Sequence, residues 1–499
     1  MTTNPNDTYT SPLAARNASP EMLRIWSPRH KFNTWRRIWL AVAEAQHEVT
    51  KNWDTPLVSR EQVDELRAVV ERGITDEELA RASEIERDLR HDVMAHVHCL
   101  GEQCPKAKAI IHLGCTSQDV VCNADLIALD RAASLILPKI ARTILAFCEQ
   151  ARRFRTTATL GFTHYQSAQP VTVGRRCAVW AHDLEVLEYR VRLLRERGFI
   201  RFRGMRGATG TQASFLALFR DDHGMVDRFE ELVVERLATG GHDRRTHGIM
   251  GQTYPRFVDS YVLADLANVA SVLHKIATDI RLLSNRKEID EPFGSKQIGS
   301  SAMPYKRNPM KCERICGLTR FVMNLVGNAY DTAATQWLER TLDDSSNRRL
   351  SLPEAFLALD GALDLMHQVA SGLVVHEAMV RKNLMAELPF LATENILMEA
   401  VKAGGDRQEL HEKIRVHAQA AGMKVKQEGL DNDLIERLRA DDAFAPVHHL
   451  LTEDQLLDPM KYVGRSVEQT ERFLKEVVEP LRERYGDELE KLGGSDRGV

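Results

Sequence analysis

Between Arg256 and Glu291 the chain runs without a single glycine or proline. Inside that run Leu266, Val269, Leu273, Ile276, Ile280 and Leu283 recur at alternating intervals of three and four residues, with Ala267, Ala270 and Ala277 between them. A helix of that length, apolar over a wide arc, cannot bury its own stripe and must pack against several others. A second run, Arg175 to Arg197, also lacks both residues. Leu137, Ile140, Ile144, Phe147 and Ala151 repeat the helical spacing, and Pro138 reads as the start of that segment, where proline is best tolerated. Long helices with small residues between large ones predict an all-α chain built on a central long-helix bundle that continues across subunits. A coiled-coil rod is the alternative, but the irregular polar segments between the helices are too rich for one.

Three such segments stand out: TLGFTHYQSAQP (159–170), RGATGTQASF (206–215) and KQIGSSAMPYKRNP (296–309). The first twenty or so residues form a polar arm, and from about Val375 the helices shorten, as in Asp406 to Gln427. At 499 residues the chain exceeds one ordinary compact domain. The expected division is an N-terminal arm and helical domain over 1–115, the long-helix bundle over 116–375, and a C-terminal helical domain over 376–499.

Composition narrows the function. The formal net charge of -4 leaves no basic surplus to neutralise a nucleic-acid backbone or an anionic membrane, although one small cationic pocket stays open. The N-terminus lacks an apolar signal core and no segment is apolar for long enough to span a bilayer. Eight cysteines form no CxxC pair, which reads as reduced thiols in a cytoplasmic protein. The stretch RHDVMAHVHC (90–99) raises zinc, but His91, His96 and His98 are separated by five and two rather than the i,i+4 of a helical ligand pair, so no metal is expected. GxxxxGK[ST] is absent, the glycines at 204, 207 and 210 do not form GxGxxG, and no GxSxG surrounds Ser300. No cofactor is expected.

Chemistry concentrates in Gly299-Ser300-Ser301-Ala302-Met303-Pro304-Tyr305-Lys306-Arg307-Asn308-Pro309, followed by Glu313. The loop resembles the SSxMPxKxNxxxxE signature of the fumarase/aspartase superfamily at every defined position. TSQDVVCNADL (116–126) and FTHYQSAQP (162–170) resemble that superfamily's other two segments, in the expected order. Removing a proton beside a carboxylate creates a doubly charged aci-carboxylate, which cations and hydrogen-bond donors must stabilise. A Gly-Ser-Ser turn followed by Lys306 and Asn308 suits that task. By the resemblance Ser300 is the base, its alkoxide stabilised in a loop that closes over substrate. His164 is the acid that protonates the departing nitrogen, an imidazole being able to give and recover a proton near neutrality. Glu313 is the carboxylate that orients a catalytic histidine. Taken alone, Gly-Ser-Ser is a turn and His164 a structural histidine.

Within the superfamily the wording RHDVMAHVH, IHLGCTS, GTQASF, GQTY, ERTLDDSSNRR and LPFLATENI is similar to that of the adenylosuccinate lyases, closest to the animal-type members, from about Ser11 to Gly464. That resemblance implies fumarate elimination from two succinylated purine-pathway nucleotides in a homotetramer whose active sites each draw on three chains. It implies a phosphate-binding set of Arg340, Ser345 and Arg349, of which Ser345 and Arg349 lie i,i+4 on one helix face. Read without the family, Glu339, Asp343 and Asp344 pair with those arginines in a solvated charged stretch. Arg16, Arg90, His91, Asp92, Thr116, Ser117, Gln252 and Arg314 match family substrate contacts, and His91 is also a candidate to polarise the leaving group. Asn17 stands where animal-type members carry a tyrosine, which removes an aromatic hydroxyl from one contact. Two rivals remain: a cousin such as an argininosuccinate-cleaving enzyme, favoured if Arg340 and Arg349 point away from a cavity, and a non-catalytic helical scaffold, disfavoured by Ser300, His164, Lys306, Asn308 and Glu313 occurring together.

Overall fold

The computed structural model describes residues 7–238, 243–452 and 458–492. Its helices begin where the sequence supplies caps. Helix α1 (Pro28–Thr50) starts with Pro28 behind Ser27, whose hydroxyl accepts from the His30 amide. Helices α2 (Arg60–Arg72) and α3 (Asp76–Leu89) open on reciprocal capping boxes, Ser59 with Gln62 and Thr75 with Glu78. Helix α3 ends at Arg90 in the left-handed conformation, φ 55°, and α4 (Asp92–Gln103) follows with His91 as its cap. Then come α5 (Ser117–Arg153), α6 (Val173–Glu196), α7 (His223–Leu237), α8 (Phe257–Asn285), α9 (Met310–Asn324) and α10 (Asp344–Ser371). The last third carries α11 (Glu377–Leu391), α12 (Thr393–Lys402), α13 (Arg407–Met423) and α14 (Ser466–Lys491).

The apolar repeat that opens the sequence argument is the buried stripe of α8, where Leu266, Val269, Leu273, Ile276, Ile280 and Leu283 are at most 5% exposed. The fold is all-α, as that stripe requires. Three local expectations change. Pro138 does not begin a helix but sits well inside the 37-residue α5. An interior proline removes one ladder bond and costs about 3 kcal/mol. Burial of Ile136, Leu137, Ile140, Ala141 and Ile144 around it outweighs that loss. The segment 159–170 is not a plain loop: β1 (Ala158–Thr163) and β2 (Gln166–Thr172) form an antiparallel hairpin. The final third is not uniformly short, because α14 runs 26 residues. A second small pair, β3 (Ile289–Asp290) with β4 (Val374–Val375), follows α8.

The chain separates into two compact units. The first comprises residues 1–140, 186–274 and 317–364, the second 141–185, 275–316 and 365–499. Helices α5, α6, α8, α9 and α10 each contribute residues to both. The first unit has a core around Trp35, Trp39, Phe215, Phe219 and Phe229. In it the buried Lys139 ammonium is held by Asp360 and, at 3.0 Å, by Asp364, while Asp360 also accepts the Ser19 amide at 2.6 Å. The second unit has one core around Ile396, Leu410, Leu434 and Phe444, and a smaller one in which Leu160 of the hairpin meets Leu384 and Leu388 of α11.

The histidines of the 90–99 stretch have separate duties. His91 caps α4, His98 is exposed, and His96 is buried with its ring stacked on Phe32 at 3.7 Å between centroids. Burial, then Arg36 and Lys31, lower the His96 pKa to about 4. Unfolding releases it to about 6.5, so the unfolded chain binds more protons and stability falls as pH drops from 6.5 towards 4. At pH 5 the loss attributable to His96 is roughly 2 kcal/mol relative to pH 7.5. Urea unfolding at fixed protein concentration is expected to show that slope, and His96→Gln to flatten it.

Candidate functional site

In the first unit the polar frame rests on Asp119, which is fully buried. Its Oδ2 accepts from the Thr116 amide at 2.7 Å, which ties the TSQD turn to the start of α5. Its Oδ1 accepts from the Arg203 guanidinium and from the amides of Arg206 at 2.7 Å and Gly207 at 3.1 Å. Arg203, also fully buried, donates onward to the carbonyls of Gln252 at 2.7 Å and Gly207 at 2.8 Å. Gln252 in turn donates its side-chain amide to Ala208 O and its backbone amide to Glu339 O, both at 2.9 Å. Gly251 permits that approach, since a Cβ there would lie 2.7 Å from Glu339 O. One buried ion pair thus gathers three segments distant in sequence.

His91 stands at the edge of this frame. Its Nδ1 accepts from the Met94 amide at 3.3 Å, so the neutral ring carries its proton on Nε2, which lies 3.5 Å from Ser117 Oγ. His91 is thus a helix cap that also places a ring nitrogen beside Ser117. Asp92 pairs with Arg349 at 3.0 Å, and Arg90 donates to Arg87 O at 3.0 Å.

Arg340, Ser345 and Arg349 line one cavity of about 160 Å³ in this unit, between α1, α5 and α10. The pairing anticipated for a charged stretch also occurs: Arg340 binds both oxygens of Asp344 at 2.8 Å, and Arg256 binds the same carboxylate at 2.7 Å. Asp344 is only 1% exposed, so the pairing fixes a cavity wall rather than decorating a solvated surface. Arg348 is similarly tied to Asp125 at 2.9 Å, Asp259 at 2.6 Å and the Tyr254 hydroxyl. Arg16 and Asn17 are not among the cavity's lining. The Asn17 carbonyl packs against Gly361, where a Cβ would come within 2.6 Å of it. Gly361 is sixteen residues beyond Ser345 on α10, roughly 24 Å of helical rise.

The second unit carries His164, Ser300, Lys306, Asn308, Glu313 and Arg314. Thr163 pairs with Gln166, so His164 and Tyr165 are the two turn residues of the hairpin, with φ of 53° and 58°. Positive φ at both positions is the type I′ requirement that Asn-Gly normally meets. Two side-chain-bearing residues there store about 1 kcal/mol or more each. His164 is exposed and makes no hydrogen bond or ion pair among the described residues. Arg176 supports the hairpin by donating to Leu160 O at 2.6 Å, and Arg286 stacks over Phe162.

The signature loop is closed on itself. Asn308 donates to Gly299 O at 2.9 Å, and the Met303 amide donates to Ser300 Oγ at 3.2 Å. A Cβ at Gly299 would lie 2.1 Å from Lys306 O, so only glycine permits this neck. At the loop's root the buried Glu291 carboxylate accepts the amides of Lys311 at 2.9 Å and Cys312 at 2.8 Å, capping α9. Lys306 is exposed. Glu313 lies 3.9 Å from Arg281.

Sequence reasoning passed over Asp119, Arg203 and Glu291. Asp119 stands three residues after Thr116, a turn-capping interval, and Glu291 directly ends the glycine- and proline-free run, but Arg203 carries no comparable local signal.

The family profile described as "Lyase" matches residues 14–324, and that described as "Adenylosuccinate lyase C-terminus" matches residues 389–473. The chain is 49% identical to the adenylosuccinate lyase of Schizosaccharomyces pombe, over 94% of this chain and 95% of that protein. It is 46% identical to that of Saccharomyces cerevisiae, covering 97% and 99%, and 45% identical to that of Schistosoma mansoni, covering 96% and 97%. Among solved structures it superposes with TM-score 0.78 on a fumarate lyase from Mesorhizobium sp. BNC1, at 22% identity over 94% of this chain and 99% of that one, a likeness of fold.

Removing Asp119 strands the Arg203 guanidinium in the interior. Asp119→Ala is expected to destabilise the chain by about 3–5 kcal/mol, and Asp119→Asn by less, as read by denaturant unfolding. Equal stability of both variants and the parent would remove the pair from its anchoring role.

Proposed function

This chain belongs to the adenylosuccinate lyase family of the fumarase/aspartase superfamily, and from that premise we propose how its residues perform the reaction. The reaction is elimination of fumarate from adenylosuccinate, leaving AMP, and in parallel from the succinylated aminoimidazole carboxamide ribotide, leaving AICAR. The observation that carries the substrate assignment is the convergence of Arg340, Ser345 and Arg349 on one cavity, where a phosphate monoester finds charge and donors together. An argininosuccinate-type substrate has no phosphate for that set to hold.

In the proposed step the Ser300 alkoxide takes the proton from the succinyl carbon, and the electron pair left behind becomes an aci-carboxylate. Lys306 and Asn308 stabilise that charge. The pair then forms the fumarate double bond as the carbon–nitrogen bond breaks, and His164 protonates the departing nitrogen. Ser300 ends protonated and His164 deprotonated, and one proton returned through solvent resets both. His91, oriented by its cap bond, presents Nε2–H to the leaving group. Glu313 is assigned to hold a histidine in register. Arg16, Asn17, Arg90, Asp92, Thr116, Ser117, Gln252 and Arg314 are the remaining substrate contacts. The strained turn at His164 fits this reading, because strain persists where function uses the geometry.

We further propose a homotetramer with shared active sites. Support comes from apolar side chains left exposed on long helices: Val179, Val186 and Tyr189 on α6, and Phe257, Tyr261 and Leu282 on α8, all 38–50% exposed. The spacing of 179, 186 and 189 is that of a helix-packing seam. We propose the three-domain division 1–115, 116–375 and 376–499 alongside the two compact units. A cytoplasmic location is in keeping with eight cysteines that form no CxxC pair. Among the described residues no helix is long and apolar enough to cross a membrane.

An ultraviolet assay of the purified chain with adenylosuccinate is expected to show release of AMP and fumarate. Ser300→Ala and His164→Gln are each expected to lower the rate at least about 10²-fold while the helical signal and oligomer persist. Gly299→Ala is expected to do so as well, by prising open the neck of the loop. Undiminished turnover in Ser300→Ala would remove Ser300 from the role of base.

A further inference from the structure

The cavity that carries Arg340, Ser345 and Arg349 has a further charged residue in its wall. Lys31, on the second turn of α1, lines it and is half-buried. Its ammonium is seated 4.8 Å from the Trp35 ring centroid and 5.2 Å from that of Phe32, contacts that steady the side chain without neutralising it. Among the described residues Lys31 makes no hydrogen bond and no ion pair. Of the three carboxylates whose charge it feels, Asp92 is paired with Arg349 at 3.0 Å and Asp125 with Arg348 at 2.9 Å, and the third, Glu86, is exposed and does not line the cavity. Burial and the neighbouring Arg349 pull its pKa below the ordinary lysine value, as expected for a cation lacking a counter-ion.

The rest of the wall has the same imbalance. Asp344 is shared between Arg256 and Arg340. Arg256 Nη1 and Trp26 Nε1, both on lining residues, are buried without an acceptor. Donors are in surplus and every carboxylate is engaged. What satisfies such a wall is a compact ligand that only accepts and carries more than one negative charge, which describes a phosphate monoester.

Resting on the functional reading above, we propose that Lys31 is a phosphate-binding, specificity-determining residue of this site. It supplies the ammonium that completes the Arg340–Ser345–Arg349 set from the opposite wall. It distinguishes a nucleotide from its nucleoside, and it takes no part in breaking the carbon–nitrogen bond.

The test uses the full chain and its Lys31→Met and Lys31→Arg variants, with inorganic phosphate, AMP and adenosine as calorimetric probes and adenylosuccinate as substrate. Lys31→Met is expected to weaken phosphate and AMP binding and to raise KM by about tenfold or more, leaving adenosine affinity and the thermal midpoint near those of the parent. Lys31→Arg, which keeps the charge, is expected to retain most of the phosphate affinity. The inference is overturned if Lys31→Met binds phosphate and AMP as the parent does, if adenosine affinity falls in parallel, or if the parent chain binds neither anion. A parent chain that binds phosphate through Lys31 yet fails to cleave adenylosuccinate would refute the functional reading and leave the anion site standing. Turnover by the parent with an unchanged KM in Lys31→Met would refute the inference alone.

Discussion

A single ion pair, Asp119 with Arg203, organises the polar half of the first unit. Neither side chain is exposed, so both charges have left water, and their mutual attraction alone would not repay that loss. The balance comes from the backbone groups recruited around them. Asp119 collects the amides of Thr116, Arg206 and Gly207, and Arg203 is spread over the carbonyls of Gln252 and Gly207. The result is specificity of arrangement more than stability: an apolar pair could fill the same volume but could not dictate where the turns at 116 and 207 and the strand of chain at 252 must lie. Those turns carry Thr116, Ser117 and Gln252. The position of each follows from one carboxylate and one guanidinium.

The second unit uses a different device. Its chemistry-bearing residues sit on short irregular segments whose backbones are constrained locally. The hairpin forces His164 and Tyr165 into a left-handed turn that neither residue favours, over a small core of Leu160, Leu384 and Leu388. The signature loop is drawn shut by Asn308 on Gly299 O and rooted by Glu291 on two amides of α9. Rigid roots with exposed tips leave the His164 and Lys306 side chains open to solvent while holding their main chain in place. The side-chain nitrogen of Asn308 is committed within the loop, where it holds the neck.

Much of this was legible from residue order. The stripe of α8 and the signature loop are local patterns, and local patterns survive in a linear string. Pro138 was misplaced for a physical reason: helix tolerance of proline depends on how much apolar surface surrounds it, and that surface comes from distant segments. The hairpin at 158–172 was hidden because its turn residues violate the rule by which such turns are recognised. The charged stretch at 339–349 supports two readings from residue order alone, and the fold adds that Arg340 pairs with Asp344 and that the pair walls a cavity.

The sequence alone determined the helical class and the family, because periodicity and motif spacing are properties of neighbours along the chain. Tertiary structure alone decided that Asp119 and Arg203 meet across more than eighty residues, that Arg340, Ser345 and Arg349 face inward together, and that Lys31 joins them. It also decided that Asn17 lies a long stretch of α10 away from Ser345. Such facts depend on which buried charges find partners when helices pack, and the energy of a buried charge is set by everything around it rather than by the residues beside it in sequence.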